Sequence, residues 1–313
     1  MDEARILEMK ENEKKIILKE HPFSLAIEVS ARCNLKCVMC DNPTMKRKKG
    51  DMSIEVFRKI IDEIKDYPQT RVYFNGYGEP LLNKNIFEFV KYATSNGLTN
   101  SYMNTNAMLL DENVACQLIK SGLHCLVVSI DGYKKETYES IRIGGNRDIV
   151  YKNVTRYLEL LKEYGTENQI VEVQLIEMEK TLPEKEDFIN YWTSKGAYVK
   201  LKPLMTWGEV KNEDIERYEE RLACAACNML SVSWNGIAPC CSGGDNEETL
   251  SIGDINRENL LEIWDRKKKI FSNYHLNHEF DKLPDFCQNC PDWVSTFAKH
   301  LGNNRDFTKI DER

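Results

Sequence analysis

Residues 33–40 read CNLKCVMC, in which three and then two residues separate the cysteines. The motif follows the apolar stretch Ser24–Ser30, which is typical of a buried strand. Three thiolates in one short loop can hold three irons of a [4Fe–4S] cube, and the fourth iron is then left without a protein ligand. An open metal position is where a substrate or cofactor binds. The spacing therefore predicts a catalytic cluster on Cys33, Cys37 and Cys40, with a partial zinc site or incidental thiols as the alternative.

The cysteine content of the whole chain also points to metal. The chain has 11 cysteines among 313 residues. Cys116 and Cys125 stand apart within apolar patterns and are interpreted as small core residues. In a reducing compartment, clustered cysteines bind metal more often than they form disulfides. The remaining cysteines form four tight groups: 33/37/40, 224/227, 240/241 and 287/290.

From residue 24 to 205 the chain alternates strand-like and helix-like segments. The strand candidates are short, apolar and rich in Val, Ile and Tyr, as buried parallel strands are. They are Ser24–Ser30, Arg71–Asn75, Thr99–Asn104, Cys125–Ile130, Ile170–Ile176 and Tyr198–Leu201. Helix ends are marked by Ser53 and Asp111 as N-caps and by Gly122 and Gly165 as stops. This order predicts an α/β fold, a partial (β/α)6 TIM-like barrel whose sites lie at the carboxyl ends of the strands.

The pattern changes after residue 205, and we expect three parts of the chain. Residues 1–23 are predicted to form an N-terminal helical extension, residues 24–205 the partial barrel, and residues 206–313 a small cysteine-rich domain. Within the last part, Asn235-Gly236 predicts a hairpin turn, and residues 260–271 predict a helix.

Composition excludes some classes of function. The net charge of −7 argues against nucleic acid as a partner, because phosphates demand clustered cations. No run of apolar residues is long enough to span a membrane, and no signal peptide is recognisable, so we expect a cytoplasmic protein. The basic run at residues 46–49 is interpreted as a solvated loop, with anion binding as the less favoured alternative.

The spacing of the first motif resembles that of the radical S-adenosylmethionine (SAM) superfamily. Four further segments resemble the family in the same order along the chain. They are Tyr77-Gly78-Glu79-Pro80 with Tyr at the usual first glycine, residues 103–106, residues 129–132 and residues 138–142. The resemblance implies that SAM binds at the open iron. It also implies contacts to SAM from Tyr77, Gly78, Glu79, Asn104, Asn106, Ser129 and Arg142. A guanidinium suits a carboxylate because it offers two parallel donors.

The C-terminal cysteines look like those of the SPASM or twitch extension, which binds auxiliary iron–sulfur clusters. There are enough cysteines for one fully ligated cube, so the shorter twitch form is the closer match. Judged by spacing from Gly236, the favoured ligands are Cys224, Cys240, Cys287 and Cys290. Cys227 and Cys241 are then spare, and either is open to replacing its neighbour as a ligand. Structural zinc is the competing interpretation, since tetrahedral thiolate also suits zinc.

The resemblance implies reductive cleavage of SAM and removal of a hydrogen atom from the substrate. The partners would be an external one-electron donor of the flavodoxin or ferredoxin type and a small polyhydroxy substrate. Net oxidation follows if the auxiliary [4Fe–4S] cluster accepts an electron, as in the aminocyclitol dehydrogenase that this region resembles. Epimerisation follows if Cys227 or Cys241 returns a hydrogen atom.

Two other functions stay open at this point. The segment before the first strand is too short for the leader-binding domain of many peptide-modifying relatives, yet a ribosomal peptide remains the alternative substrate. A non-catalytic iron–sulfur or zinc protein is the alternative of another class.

Overall fold

The computed structural model describes residues 19–204, 223–241, 243–288, 290 and 292. A sheet of seven strands dominates this part of the chain, in the order β6-β5-β4-β3-β2-β1-β7, and every neighbouring pair is parallel. The strands are β1 (Ser24–Ile27), β2 (Arg71–Phe74), β3 (Ser101–Thr105), β4 (Cys125–Ser129), β5 (Ile170–Glu177), β6 (Tyr198–Pro203) and β7 (Met229–Val232).

Helices follow the strands as the alternation predicts. They are α1 (Ile54–Ile64), α2 (Ile86–Ser95), α3 (Glu112–Ser121), α4 (Lys135–Ile141), α5 (Arg147–Tyr164) and α6 (Lys185–Lys195). The predicted caps are present, because Ser53 accepts from the backbone N–H of Val56 and Asp111 from that of Val114. Gly122 ends α3 at φ +82°, a conformation that glycine adopts without steric cost.

The expected α/β fold is confirmed and gains a seventh strand. Strand β7 comes from beyond the predicted barrel region and pairs with the free edge of β1, with Ser24 opposite Met229. An unpaired strand edge leaves backbone donors and acceptors unsatisfied, so a parallel partner stabilises it. The strand was not among those predicted, because the alternation of strand-like and helix-like segments was recognised in the sequence only up to residue 205.

The turn at Asn235-Gly236 is present, but its two strands belong to different sheets. Gly236 has φ +88°, and its N–H donates to the carbonyl of Ser233 at 2.9 Å. Strand β7 before the turn pairs with β1, whereas β8 (Ile237–Pro239) after it pairs antiparallel with β9 (Ser251–Asp254). The turn therefore connects the large sheet to a second, two-stranded sheet.

A helical run follows β9. It consists of α7 (Leu260–Lys267), one π-helical turn (Lys268–Ser272) and α8 (Asn273–Leu276), and α9 (Asp285–Gln288) comes later. Short 3-10 turns lie at Pro80–Leu82, Leu182–Glu184, Ala225–Asn228 and Phe280–Lys282. No helix in the described ranges is long and apolar enough to cross a bilayer.

Two boundary predictions fall partly or wholly outside the described residues. Of the predicted N-terminal helical extension, only residues 19–23 are described, and they are not helical. The predicted domain boundary at 205/206 lies within 205–222, which is not described. The division into three parts therefore remains a proposal.

The two faces of the parallel sheet differ in chemistry. On β5, Val171, Val173 and Leu175 are buried in the apolar core with the helices. Successive side chains of a strand point to opposite faces, so Glu172 and Gln174 lie on the inner face. The inner face of the sheet is therefore partly polar, and the loops that follow β1 to β4, including the first cysteine motif, lie at the carboxyl edge of the sheet.

Candidate active site and auxiliary metal centre

The first cysteine loop is held between two neighbouring segments by backbone hydrogen bonds. The N–H of Glu79 donates to the carbonyl of Arg32 at 2.8 Å, and the N–H of Val38 donates to that of Ile141 at 3.0 Å. Gly78 allows the first approach, because a Cβ there would lie 2.7 Å from the carbonyl carbon of Ser30. Glycine at 78 is thus required by close backbone packing.

The three thiols of this loop lie among hydrogen-bond donors. The N–H of Asn42 donates to Cys40 Sγ at 3.4 Å, Arg142 Nη1 lies 3.5 Å from Cys37 Sγ, and Asn106 Nδ2 lies 4.0 Å from Cys33 Sγ. Burial raises the pKa of Cys33 to about 11 and also raises that of Cys40. Iron would convert these thiols to thiolates, which the surrounding donors then stabilise.

This donor set fits a cube with one open iron. Within the described ranges, no three His, Cys, Asp or Glu side chains converge closely enough to share a single ion. A zinc ion holds its sulfurs about 2.3 Å away, whereas a cube gives each cysteine its own iron. Cys33, Cys37 and Cys40 would therefore each hold one iron.

Glu79 ties the loop after β2 to the loop after β3. Its buried carboxylate accepts from Thr105 Oγ1 at 2.7 Å, from the N–H of Asn106 at 2.8 Å and from that of Leu81 at 3.1 Å. Burial raises the pKa of Glu79, although these donors oppose the shift. Both oxygens thus have protein partners, and the predicted contact of Glu79 to a cofactor remains a prediction.

Tyr77 connects the first cysteine loop to the C-terminal region. Its carbonyl accepts from Asn42 Nδ2 at 2.8 Å, and its N–H donates to Glu28 Oε1 at 3.1 Å. Its phenol donates to the carbonyl of Gly243 at 3.2 Å. Tyr77 therefore has hydrogen-bond partners in the first cysteine loop and in the C-terminal region. The sequence predicted a contact with the cofactor but not these structural contacts.

On the inner face of the sheet, Ser129 lies beside Gln174, a residue that the sequence did not single out, and Asn104 lies on a neighbouring strand. Ser129 lies opposite Gln174 in the β4–β5 register, and Asn104 lies opposite Val127 in the β3–β4 register. Gln174 is buried, and its Oε1 has no hydrogen-bond partner among the described residues. A buried unsatisfied acceptor favours a bound donor at this position.

Arg142 lies beside the cluster motif and is already paired. Its Nε donates to Asp131 Oδ2 at 2.7 Å, Nη2 contacts the same oxygen, and Nη1 faces Cys37. Burial opposes the charge of Arg142, but Asp131 and Cys37 raise its pKa overall. Asp131 is fully buried and also accepts from the N–H of Ile176 at 2.7 Å. The pairing with Asp131 was not foreseen, and the predicted contact with SAM remains a prediction.

Among the C-terminal cysteines, burial and charge favour Cys241 over Cys240 as a ligand, an exchange that the sequence left open. Cys224 is half-buried, and desolvation raises the pKa of its thiol, as do the thiols of Cys241, Cys287 and Cys290 through their charge. Cys240 is 1% exposed, and burial raises its pKa to about 12, opposed by the nearby Lys267. Cys240 and Cys241 follow directly after β8, and successive side chains of an extended chain point to opposite sides. The geometry therefore favours Cys241 over Cys240 as the partner of Cys224.

These sulfurs also have donors suited to an iron–sulfur cluster. The N–H of Ala226 donates to Cys224 Sγ at 3.5 Å, and the N–H of Gly244 donates to Cys241 Sγ at 3.4 Å. His275 Nε2 lies 3.4 Å from Cys287 Sγ. Hydrogen bonds to sulfur are a principal means by which proteins tune such clusters.

Cys227 occupies a different environment. It is fully buried within the apolar core, and its carbonyl accepts from Ser272 Oγ at 3.2 Å. This position favours a structural role over the predicted role as a hydrogen-atom donor, because a substrate radical would have to reach a thiol inside the core.

Lys46, Lys48 and Lys49 of the basic run are exposed, as expected for a solvated loop, whereas the side chain of Arg47 is largely buried and joins the two cysteine regions. Arg47 Nη2 pairs with Glu28 at 2.7 Å, Nη1 pairs with Glu248 at 2.9 Å, and Nε donates to the carbonyl of Asn246 at 2.7 Å. Glu247 accepts from the N–H groups of residues 46 and 47, each at 2.8 Å. We call Arg47, Glu28, Glu247 and Glu248 the Arg47 clasp.

Two family models match the chain. One, described as "Radical SAM superfamily", covers residues 27–179. The other, described as "Iron-sulfur cluster-binding domain", covers residues 224–291. The first runs from the last residue of β1 to just past β5, and the second includes all the cysteines of the C-terminal groups.

Curated relatives match at about a quarter identity and differ in function. The tungsten-containing aldehyde ferredoxin oxidoreductase cofactor-modifying protein of Pyrococcus furiosus is 26% identical over 51% of this chain and 46% of its own length. A probable GTP 3′,8-cyclase of Methanothermobacter marburgensis is 27% identical over 80% of this chain and 96% of its own length. The PqqA peptide cyclase of Granulibacter bethesdensis is 25% identical over 87% and 80%. This chain thus spans about half of the first of these proteins.

Solved structures share the fold. BtrN in complex with AdoMet and 2-DOIA superposes with a TM-score of 0.58 at 19% identity, over 87% of this chain and 93% of BtrN. Streptococcus suis SuiB bound to S-adenosylmethionine superposes with a TM-score of 0.64 at 14% identity, over 90% and 74%. With its SAM-binding [4Fe–4S] motif and its auxiliary-cluster domain, the chain belongs to the radical SAM superfamily, in the group that carries a SPASM domain.

Proposed function

We infer that the chain oxidises an alcohol of a small polyhydroxy substrate, with the auxiliary [4Fe–4S] cluster as the electron acceptor. The proposal is supported by the thiols of Cys224, Cys241 and Cys287, each of which has an N–H group or imidazole nitrogen within 3.5 Å, and by the electrostatic effect of Cys241, Cys287 and Cys290 on Cys224. Four thiolates saturate the four irons of a cube, so such a cluster has no position for substrate and is suited to electron transfer.

The bound SAM and first cluster would supply a 5′-deoxyadenosyl radical. In the proposed reaction a hydrogen atom leaves a C–H bond of the substrate for 5′-deoxyadenosine. The neighbouring O–H loses a proton to water or a carboxylate, and one electron passes to the auxiliary cluster as the carbonyl forms. An external donor of the flavodoxin or ferredoxin type supplies the electron that cleaves SAM.

The chain's own residues would position these groups. Arg142, Asn42 and Asn106 place N–H donors on the three thiolates of the first motif. Glu79 keeps the loops after β2 and β3 in a fixed relation through its three accepted hydrogen bonds. Pre-formed donors of this kind lower the cost of assembling the site.

The inner face of the sheet supports a polar substrate. Ser129 and Gln174 lie opposite each other, and the Oε1 of Gln174 lacks a partner among the described residues. Lys200 on β6 pairs with Glu172 at 2.8 Å on the same face. Hydroxyl groups both donate and accept, so a polyol satisfies such a surface better than an apolar group does.

A peptide is the second candidate substrate, and a different observation favours it. The PqqA peptide cyclase matches 87% of this chain, and another SuiB structure contains its precursor peptide SuiA. The polar inner face would then receive backbone N–H and C=O groups. Epimerisation has less support than oxidation, because Cys227 is fully buried and Cys241 groups with the cluster thiols.

The proposal is tested with anaerobically reconstituted protein, SAM and dithionite, offered a panel of cyclitols and sugars deuterated at carbon. We expect deuterium in 5′-deoxyadenosine and one carbonyl product for each SAM cleaved. A matched panel of peptides tests the second candidate, and solvent deuterium in recovered substrate would mean epimerisation. Cys37→Ala is the control and must abolish 5′-deoxyadenosine. Absence of SAM cleavage in the parent would leave only the non-catalytic interpretation.

A further inference from the structure

Three buried side chains form a row on the helical run after β9. Lys267, Phe271 and His275 are each at most 1% exposed and stand four residues apart. Lys267 Nζ lies 5.4 Å from the ring centroid of Phe271, and the rings of Phe271 and His275 are 4.8 Å apart. The row runs along the side of the helices that faces the auxiliary cysteines.

A π-helical turn makes this row possible. An α-helix has 3.6 residues per turn, so residues spaced by four drift around its axis. The π turn at Lys268–Ser272 adds a residue to one turn and compensates the drift. Such turns are costly and occur frequently at functional sites. Ser272 within the turn also anchors the run to the carbonyl of Cys227 at 3.2 Å.

One end of the row contacts a proposed cluster ligand. His275 Nε2 lies 3.4 Å from Cys287 Sγ, which is within N–H···S hydrogen-bond distance. A thiolate bound to iron has no proton to donate, so it selects the tautomer of His275 that carries the proton on Nε2. Phe271 and Phe280 surround the imidazole, with ring centroids at 4.8 and 5.9 Å, and hold it in place.

The other end of the row is a buried cation. Lys267 Nζ donates to the carbonyl of Met229 at 2.7 Å, just after the turn that begins at Cys224. Its charge reaches Cys240, the residue adjacent to Cys241. A cation is expensive to bury, and no acidic side chain of the described residues forms a salt bridge with Lys267. A neighbouring anionic cluster would supply the missing counter-charge.

We propose that His275 and Lys267 are positioning residues that raise the reduction potential of the auxiliary cluster. Reduction adds one negative charge to a cluster, and an N–H donor or a cation stabilises the more negative state more strongly. Both residues therefore make the cluster a better electron acceptor. This inference rests on the auxiliary cluster of the proposed function and adds the residues that set its potential.

The test is an EPR-monitored redox titration of the full-length chain with Cys33, Cys37 and Cys40 changed to Ala, so that only the auxiliary cluster responds. His275→Phe and Lys267→Met should each shift the potential to more negative values. His275→Gln, which retains an N–H donor, should restore much of the parent value. The matched controls are His278→Gln and Lys269→Met, at exposed positions on the same segment, and they should leave the reduction potential unchanged.

Iron content is counted for every variant beside the titration. Unchanged potentials in iron-replete His275→Phe and Lys267→Met would overturn the inference. If His275→Phe loses iron, hyperfine spectroscopy of the reduced parent labelled with ¹⁵N-histidine tests whether His275 donates a hydrogen bond to the cluster. A weak nitrogen coupling supports the hydrogen bond, and either no coupling or the strong coupling of a direct iron ligand contradicts it. The titration needs no substrate, so a failed oxidation assay would contradict the proposed function without affecting the measured reduction potentials.

Discussion

At the scale of the residue, buried polar side chains surround the cysteines, and each of them contacts a particular backbone group, side chain or sulfur. Cys33, Cys37 and Cys40 could be predicted because spacing alone carries the chemistry of a three-thiolate loop. Asp131, Gln174 and His275 could not, because their importance lies in burial and contacts that no local pattern records. The choice between neighbouring cysteines likewise depends on which side of a strand end each faces.

Changing Asp131 to Asn should destabilise the protein by about 3 kcal/mol, because the buried guanidinium of Arg142 loses its charge partner. Glu88→Gln is the matched control, since it breaks the exposed Glu88–Arg58 pair and should cost at most about 0.5 kcal/mol. Denaturant unfolding compares the free energies of unfolding. A loss for Asp131→Asn as small as that of the control would show that the pair contributes little.

Cys241→Ala should lose the auxiliary iron, whereas Cys240→Ala should retain it. The reason is that Cys224 groups with Cys241, Cys287 and Cys290, while Cys240 lies in the core beside Lys267. Iron and sulfide counts on both variants make the comparison. The opposite result would restore the ligand set that spacing from Gly236 favours.

At the scale of the element, periodicity predicted the six barrel strands and most helix ends, because buried strands and capped helices have local signatures. Strand β7 was missed, since its pairing with β1 joins segments about two hundred residues apart in sequence. The π turn after α7 was missed as well, because the sequence continues a helical pattern across it. Tertiary packing decides both features.

His21, which lies just before β1, should make the stability of the protein depend on pH. His21 contacts Thr70 Oγ1 at 3.2 Å, and burial lowers its pKa despite the contact of Nδ1 with the carbonyl of Pro22. Below about pH 6.5, His21 therefore binds a proton in the unfolded chain but not yet in the folded chain. We expect stability to fall as pH drops from about 6.5 towards the lowered pKa.

His21→Asn should remove that part of the slope, and denaturant unfolding at several pH values measures it. His278→Gln, at an exposed position, is the control and should retain the slope. An unchanged slope in the His21 variant would mean that another group titrates in this range.

At the scale of the whole molecule, the Arg47 clasp links the segment after the first motif to the auxiliary region. Arg47 contacts Glu28 just after β1 and Glu248, which follows the third group of cysteines, 240/241. The sequence showed a basic run but not its acidic partners, which lie far away along the chain. In the proposed reaction an electron passes from the substrate to the auxiliary cluster, and a fixed relation between the two cysteine regions would favour that transfer.

Arg47→Met should therefore destabilise the protein by about 3 kcal/mol, because the buried carboxylate of Glu28 and the largely buried one of Glu248 lose their charged partner. Lys48→Met is the matched control, since Lys48 is exposed and contributes its backbone carbonyl to Trp234 Nε1 at 3.2 Å. Denaturant unfolding gives the free energies, and limited proteolysis reports local opening near residues 46–49. Equal stabilities of the two variants would contradict the clasp.

The central claim is that one chain holds two separate clusters, and a metal count tests it most directly. The protein is purified without oxygen, reconstituted and assayed for iron, sulfide and zinc, in parallel with the variant in which Cys33, Cys37 and Cys40 are all Ala. We predict about eight irons per chain in the parent and about four in the variant. About four irons in the parent, none in the variant and one zinc in both would contradict the account, because the C-terminal site would then be structural and unable to accept an electron.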